Sequence, residues 1–332
     1  MIIKTHAFPR AAVIGNPSDG YYGKTIAFTF SNFQADITLY QTPEIEILPA
    51  RRDHSKFRNL AELADDVRTY GYYGGIRLLK GALKKFHDYC AENGIEIDDR
   101  NFSIRYHSSI PAHLGLGGSS AIITAAMRAL MAFYSVSIPK PALANLILSV
   151  ETDELGIGAG LQDRVAQVYQ GIVMMDFNRD EMQRQGHGVY TPLSPTVVPS
   201  FYIAFNPRFA EGTEVVHNNL RYRFENGESE VVLAMAEFAR LTDRFRLALD
   251  AGDLDEIDRI IDENFDLRRK IMPLNASHVA LVETAREAGV SAKFTGSGGA
   301  IIGTYRDAAA LARLTAALGE RGATVMAPII AY

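Results

Sequence analysis

The chain has 332 residues, 47% hydrophobic and 22% charged, with a net charge of −5, which favours two domains or one large one and argues against a nucleic-acid partner. A single cysteine, Cys90, excludes an internal disulfide framework. No run reaches the roughly 18 apolar residues of a membrane span, and Met1–His6 has no signal-peptide core, so a cytoplasmic protein without a membrane partner is expected.

Residues 1–48 read as short strands and turns. Ile26–Phe30 and Phe33–Leu39 are joined by Ser31-Asn32, which reads as a tight connection between paired strands. Arg10 opens a short apolar run that ends in the turn string Gly15-Asn16-Pro17-Ser18-Asp19, with Lys24 beyond it. Residues 49–75 are polar and irregular; Tyr70-Gly71-Tyr72-Tyr73-Gly74-Gly75 reads as a packed loop or a stacking platform for a ring. Gly75–Glu92 has helical periodicity, with Cys90 as a packing residue. Phe102–His107 alternates as a strand does.

Pro111-Ala-His-Leu-Gly-Leu-Gly-Gly-Ser-Ser-Ala121 follows, and the helix Ser120–Tyr134 begins at once. A strand, a glycine loop, a serine cap and a helix start together make an anion socket. Glycines admit close backbone approach, and a helix N-terminus offers unpaired N–H groups and a positive dipole end. The string is not a Walker A loop, because no Lys follows the glycines. Its spacing is not a dinucleotide fingerprint either.

Pro141–Val150 reads as a helix delivering Glu151. A glycine-rich turn (Gly156, Gly158, Gly160) then leads to Asp163 in the first turn of another helix, so two carboxylates can face one pocket. Gly171–Phe177 reads as a buried strand. Residues 178–199 hold three prolines and read as an inter-domain crossing. Phe201–Phe205 reads as a strand, and Val231–Leu249, Leu254–Ile271 and Ser277–Ala288 as helices. Ser291–Phe294, Ala300–Tyr305, a helix near Asp307–Leu318 and Ala323–Ile330 complete the chain. Mixed order rather than regular βαβ alternation predicts an α+β fold with antiparallel sheets. No His/Cys cluster has zinc-ligand spacing.

The string 111–121 resembles the second motif of the GHMP small-molecule kinases. Its extra residue before the serines, Gly118, is similar to the glucuronokinase branch. Arg10 to Asp19 resembles the first motif, and Lys293-Phe-Thr-Gly-Ser-Gly-Gly-Ala300 the third. Glu154 to Tyr169 resembles the glucuronokinase and heptose-kinase branches. The resemblance covers nearly the whole chain.

That resemblance implies an ATP-binding domain over 1–190 with a ribosomal-S5-domain-2-like fold and a ferredoxin-like α/β sandwich over 191–332. It implies an ATP- and Mg²⁺-dependent sugar kinase acting on the anomeric hydroxyl of a uronic acid, glucuronate first. Heptose is the alternative acceptor, and a catalytically silent sugar or ATP sensor the non-enzyme alternative. An RNA-binding module sharing the N-terminal topology is opposed by the acidic charge. Gly115, Leu116, Gly117, Gly118, Ser119, Ser120 and Ala121 would hold ATP, and Ser120 and Glu151 the metal. Asp163 would orient or deprotonate the acceptor hydroxyl, and an arginine such as Arg10 beside it would keep it ionised. Asn16, Ser18, Asp19, Lys24, Gly296, Ser297 and Gly298 would meet the sugar. Arg10, Lys24 and Lys293 are the candidate partners of a substrate carboxylate.

Overall fold

In the computed structural model the described residues are 1–50, 53, 57–60, 63, 74–207 and 214–332. In chain order the strands are β1 (Ile2–Ala7), β2 (Arg10–Ile14), β3 (Lys24–Thr29), β4 (Ala35–Thr42), β5 (Glu46–Ile47), β6 (Asn101–Ser108), β7 (Ile172–Asp176), β8 (Val189–Leu193), β9 (Phe201–Phe205), β10 (Lys293–Phe294), β11 (Ala300–Thr304) and β12 (Thr324–Met326). The chain forms two compact units. One comprises Met1–Pro9, Phe33–Ile110 and Gly117–Val168; the other Arg10–Asn32, Pro111–Leu116 and Tyr169–Tyr332.

The first unit is built on the sheet β1-β4-β6-β5, antiparallel except for the β5–β6 pair. β4 alternates as a half-solvated strand should, burying Ala35, Ile37 and Leu39 on one face. That face receives the helix Gly118–Tyr134, which also packs on the helix Gly75–Glu92. Nearly all of Ser120–Leu130 is buried, and its alanines let the helix lie close to β1. Thr5 Oγ1 donates to the Ala125 carbonyl at 2.6 Å across that approach.

The second unit holds two antiparallel sheets, β2-β3-β7-β8 and β10-β11-β9-β12. The helix Ser229–Ala251 packs on β3, and Leu254–Ile271 packs on β2 and β10. Gly252, at φ +68°, ends the first of these in the left-handed region glycine tolerates. Asp253 caps the second by accepting from Glu256 N at 3.0 Å, a contact worth about 0.5–2 kcal/mol. Tyr202, Phe265, Phe294, Ile301 and Leu314 form the centre of the C-terminal core.

The α+β expectation holds, and Gly75–Glu92, Phe201–Phe205 and Leu254–Ile271 form with the expected bounds. The expected hairpin does not. β3 and β4 are neighbours in sequence but belong to different sheets: β3 pairs with β2 and β7, β4 with β1 and β6. Residues 178–199 are more ordered than a crossing. Asn178 caps a helix, Arg179–Gln185, through its side-chain oxygen, and β8 then adds to a sheet edge where Pro192 is tolerated. The last strand shortens to β12, with Ile330 making only an isolated bridge to Phe30. A helix at Glu214–Glu225 was not expected. Tyr70–Tyr73 of the aromatic string lie outside the described residues. Among the described residues no helix is long and apolar enough to cross a membrane.

Candidate active site

The glycine loop changes units along its own length: Gly115 and Leu116 belong to the second, Gly117 to Ala121 to the first. In the first unit Gly117 stands at φ +73° as the helix N-cap, so the serines fall inside the first turn and neither is the cap. No side chain caps this end. The first-turn N–H groups are therefore left for an anion, where the dipole favours one. Gln167 Nε2 steadies the turn by donating to Gly117 O at 2.8 Å.

Around this helix start lie the two expected acids. Glu151 sits in a one-turn π-helical segment, Val150–Glu154, and is 1% exposed. Ser119 Oγ donates to its carboxylate at 2.6 Å. Ser120, expected beside Glu151, instead donates to Gly117 O at 3.1 Å and is fully buried. Arg164 forms a buried ion pair with Glu151 and donates to Gly160 O at 2.8 Å. The same guanidinium lies 3.5 Å from Asp163 Oδ2. Asp163 in turn approaches the loop: Oδ2 is 3.4 Å from where a Cβ on Gly117 would stand. Arg164 thus supplies an arginine neighbour to Asp163 and a counter-charge to Glu151. Sequence reasoning passed over it, although it directly follows Asp163.

In the second unit, Arg10 Nη1 donates to Thr295 O at 3.1 Å and also to Gly115 O, while its backbone N donates to Leu116 O at 3.0 Å. The first and third motifs and the start of the glycine loop therefore meet. Gly115 is required there: a Cβ on it would stand 3.0 Å from both Ser297 N and Ser297 Oγ, and its φ is +64°. Lys293 Nζ donates to Ala12 O and Phe294 O, each at 2.9 Å, and to Asn16 Oδ1. Burial pushes its ammonium well below the usual lysine range, and the charges of Arg268 and Arg10 add to this. Arg268, absent from the sequence expectations, donates to Gly296 O at 2.7 Å and Ser297 O at 3.1 Å.

Lys24 is placed differently. Its ammonium bonds Asp243 at 3.0 Å and lies 3.5 Å from Asp176. Burial alone would lower it, but these acids hold it above the usual lysine value. Two carboxylates already occupy it, which disfavours it as a reader of a third. Ser18 Oγ donates to the Lys24 carbonyl at 3.1 Å, and Asp19 lies on the half-buried turn Ser18–Tyr21. Gly298 faces His278 Nδ1, which a Cβ would approach to 2.6 Å. Among the described residues no group of three or more His, Cys, Asp or Glu could hold a metal.

Comparisons with known proteins identify the family. The sequence pattern of the GHMP kinases N terminal domain matches residues 77–171, and that of the GHMP kinases C terminal region matches 245–324. Glucuronokinase 1 of Arabidopsis thaliana is 40% identical over 306 residues, 90% of this chain and 84% of the relative. The D-glycero-alpha-D-manno-heptose 7-phosphate kinase of Campylobacter jejuni is 31% identical over 77 residues, 23% of each chain. The crystal structure of the Methanococcus jannaschii mevalonate kinase superposes with a TM-score of 0.73 at 19% identity, covering 100% of this chain and 98% of that one.

Proposed function

The chain belongs to the GHMP kinase family, and on that premise we propose that it transfers the γ-phosphoryl group of ATP to the anomeric hydroxyl of glucuronate, giving glucuronate 1-phosphate. The observation that carries this reading is the similarity to a glucuronokinase across 90% of the chain. The same reading divides the chain into an ATP-binding domain, 1–190, and a C-terminal domain, 191–332, supported by the separate family matches at 77–171 and 245–324.

Phosphoryl transfer has a loose transition state, so positioning and charge compensation dominate catalysis. In this reading the uncapped first turn at Gly117–Ala121 binds the ATP phosphates. The hard oxygens of Glu151 and the first-turn serines fit Mg²⁺, whose usual protein ligands are one or two carboxylates with waters and phosphates completing the shell. Glu151 keeps lone pairs beyond those given to Ser119 and Arg164, so it and Ser120, with Ser119 nearer at hand, would hold the ion. When bound, the ion would neutralise phosphate charge. Asp163, held in place by Arg164 and close to Gly117, orients the acceptor hydroxyl and takes its proton. Arg10 steadies Gly115 and Thr295, and Asn16, Asp19 and the 296–298 loop meet the sugar.

A heptose acceptor is the second reading, favoured by the similarity to the Campylobacter jejuni kinase. An ADP-release assay with Mg²⁺ over glucuronate, galacturonate and heptoses separates the cases. Glucuronate is expected to give the highest kcat/KM. Turnover of heptoses alone would replace the proposal, and no release with any sugar would favour a silent sensor.

A further inference from the structure

Arg268 occupies the buried face of the helix Leu254–Ile271, in register with Ile257, Ile261, Phe265 and Ile271. An arginine on such a face normally carries its charged head to the surface. This one is 2% exposed. Its contacts are neutral: the carbonyls of Gly296 and Ser297 at 2.7 and 3.1 Å, and the Phe294 ring, 5.3 Å from Cζ to centroid. Nε has no hydrogen-bond partner. Among the described residues no carboxylate lies within ion-pairing distance of it; Asp19 acts on it only at longer range. Burial lowers the guanidinium to about 10, the expected sign for a cation kept from water and from a counter-ion. Such a charge is costly to keep.

The loop it grips explains what the charge can do. A trans peptide is planar, so a carbonyl and the N–H that follows it point in opposite directions. Holding the carbonyls of Gly296 and Ser297 on one side turns the N–H groups of Ser297 and Gly298 to the other. Neither N–H finds an acceptor among the described residues. Ser297 N and Oγ, each 3.0 Å from where a Cβ on Gly115 would stand, and Gly298 O, 3.2 Å from it, pack this loop closely on Gly115. Two adjacent unclaimed N–H groups, a hydroxyl and a buried positive charge behind them are the parts of an anion receptor.

We infer that Arg268 is a positioning residue for an oxyanion receptor formed by the N–H groups of Ser297 and Gly298 and the Ser297 hydroxyl. Its oxyanion is the carboxylate of the acidic sugar, an identification that rests on the glucuronate reading. A terminal phosphate of ATP offers the same chemistry.

The test uses the full chain with Arg268→Gln and Arg268→Lys. KM is measured for glucuronate at saturating ATP and for ATP at saturating glucuronate, with melting temperatures alongside. Arg268→Gln is expected to raise the glucuronate KM at least tenfold while the ATP KM stays within twofold, and Arg268→Lys to recover part of the loss. A rise in the ATP KM instead keeps the receptor and assigns it to a phosphate. Unchanged KM values in a folded Arg268→Gln protein overturn the inference, as does a fall in kcat alone that tracks a lower melting temperature. If Arg268→Gln does not fold, Arg268→Lys decides: charge without the planar fork must raise one KM at least threefold. If the unaltered protein turns over no acidic sugar, the glucuronate reading fails separately. Calorimetry with ATP then tests the receptor, which falls unless Arg268→Gln weakens binding at least tenfold.

Discussion

The two units handle buried charge in opposite ways. In the first, Glu151 and Asp163 share Arg164, so the acids come with their own counter-charge and are fixed by it. In the second, Lys293 and Arg268 are buried against carbonyls and an amide, with no carboxylate at ion-pairing distance among the described residues. The acids are thus compensated by a counter-ion, whereas the two basic groups are satisfied only by neutral dipoles, the costlier arrangement for a buried charge. On the proposed reading, hydroxyl and metal handling fall to the one set and anion recognition to the other.

The largest test strikes the acid side. Asp163→Ala is expected to lower kcat by about 10²–10⁴-fold, the usual range for a lost general base, while the melting temperature changes little because the side chain is partly exposed. Near-normal turnover in that variant would end its assignment. Arg164→Met comes next. Glu151 would be left as an uncompensated buried charge, and losing one partner of a buried pair costs about 3–5 kcal/mol. Urea unfolding should show this, and a shift below 1 kcal/mol would mean that the acids hold their places unaided. Gly117→Ala probes the turn that presents the helix end. At φ +73°, with Gln167 Nε2 3.0 Å from the new Cβ, it should cost roughly 1–2 kcal/mol and raise the ATP KM more than the sugar KM.

The smallest effect is a pH slope. The folded pKa of Lys293 lies below its unfolded value of 10.5, so between the two the unfolded chain binds more protons. Stability therefore rises with pH across that window in the native protein relative to Lys293→Met. Unfolding midpoints of both proteins up to pH 10.5 measure it, and parallel curves would show that burial does not depress this lysine.

Local signals were legible where a segment's own periodicity settles its fate, as in Gly75–Glu92 and Leu254–Ile271. Strand partners were not, because pairing is non-local: Ser31-Asn32 looks like a hairpin turn, yet its flanking strands find partners elsewhere. The glycine loop, Glu151 and Asp163 could be named from motif and spacing. Their pairing could not, since which of Ser119 and Ser120 faces Glu151 depends on where the helix begins, and Gly117 sets that two residues earlier than a serine cap would. Arg268 sits in Arg268-Arg269-Lys270, which reads as a basic helix end. The available clue was phase: Ile257, Ile261 and Phe265 place 268 on the apolar face and its two basic neighbours off it.

Neither compact unit is a continuous stretch of chain, and this limits how the protein can be taken apart. A cut at residue 190 falls inside β8 and would separate it from β7, β3 and β2, while leaving Arg10–Asn32 in one fragment and β9 to β12 in the other. Genetic halves of this chain are therefore not physical halves. Complementation between two co-expressed fragments, rather than the activity of either alone, is the form in which a divided version of this protein would work.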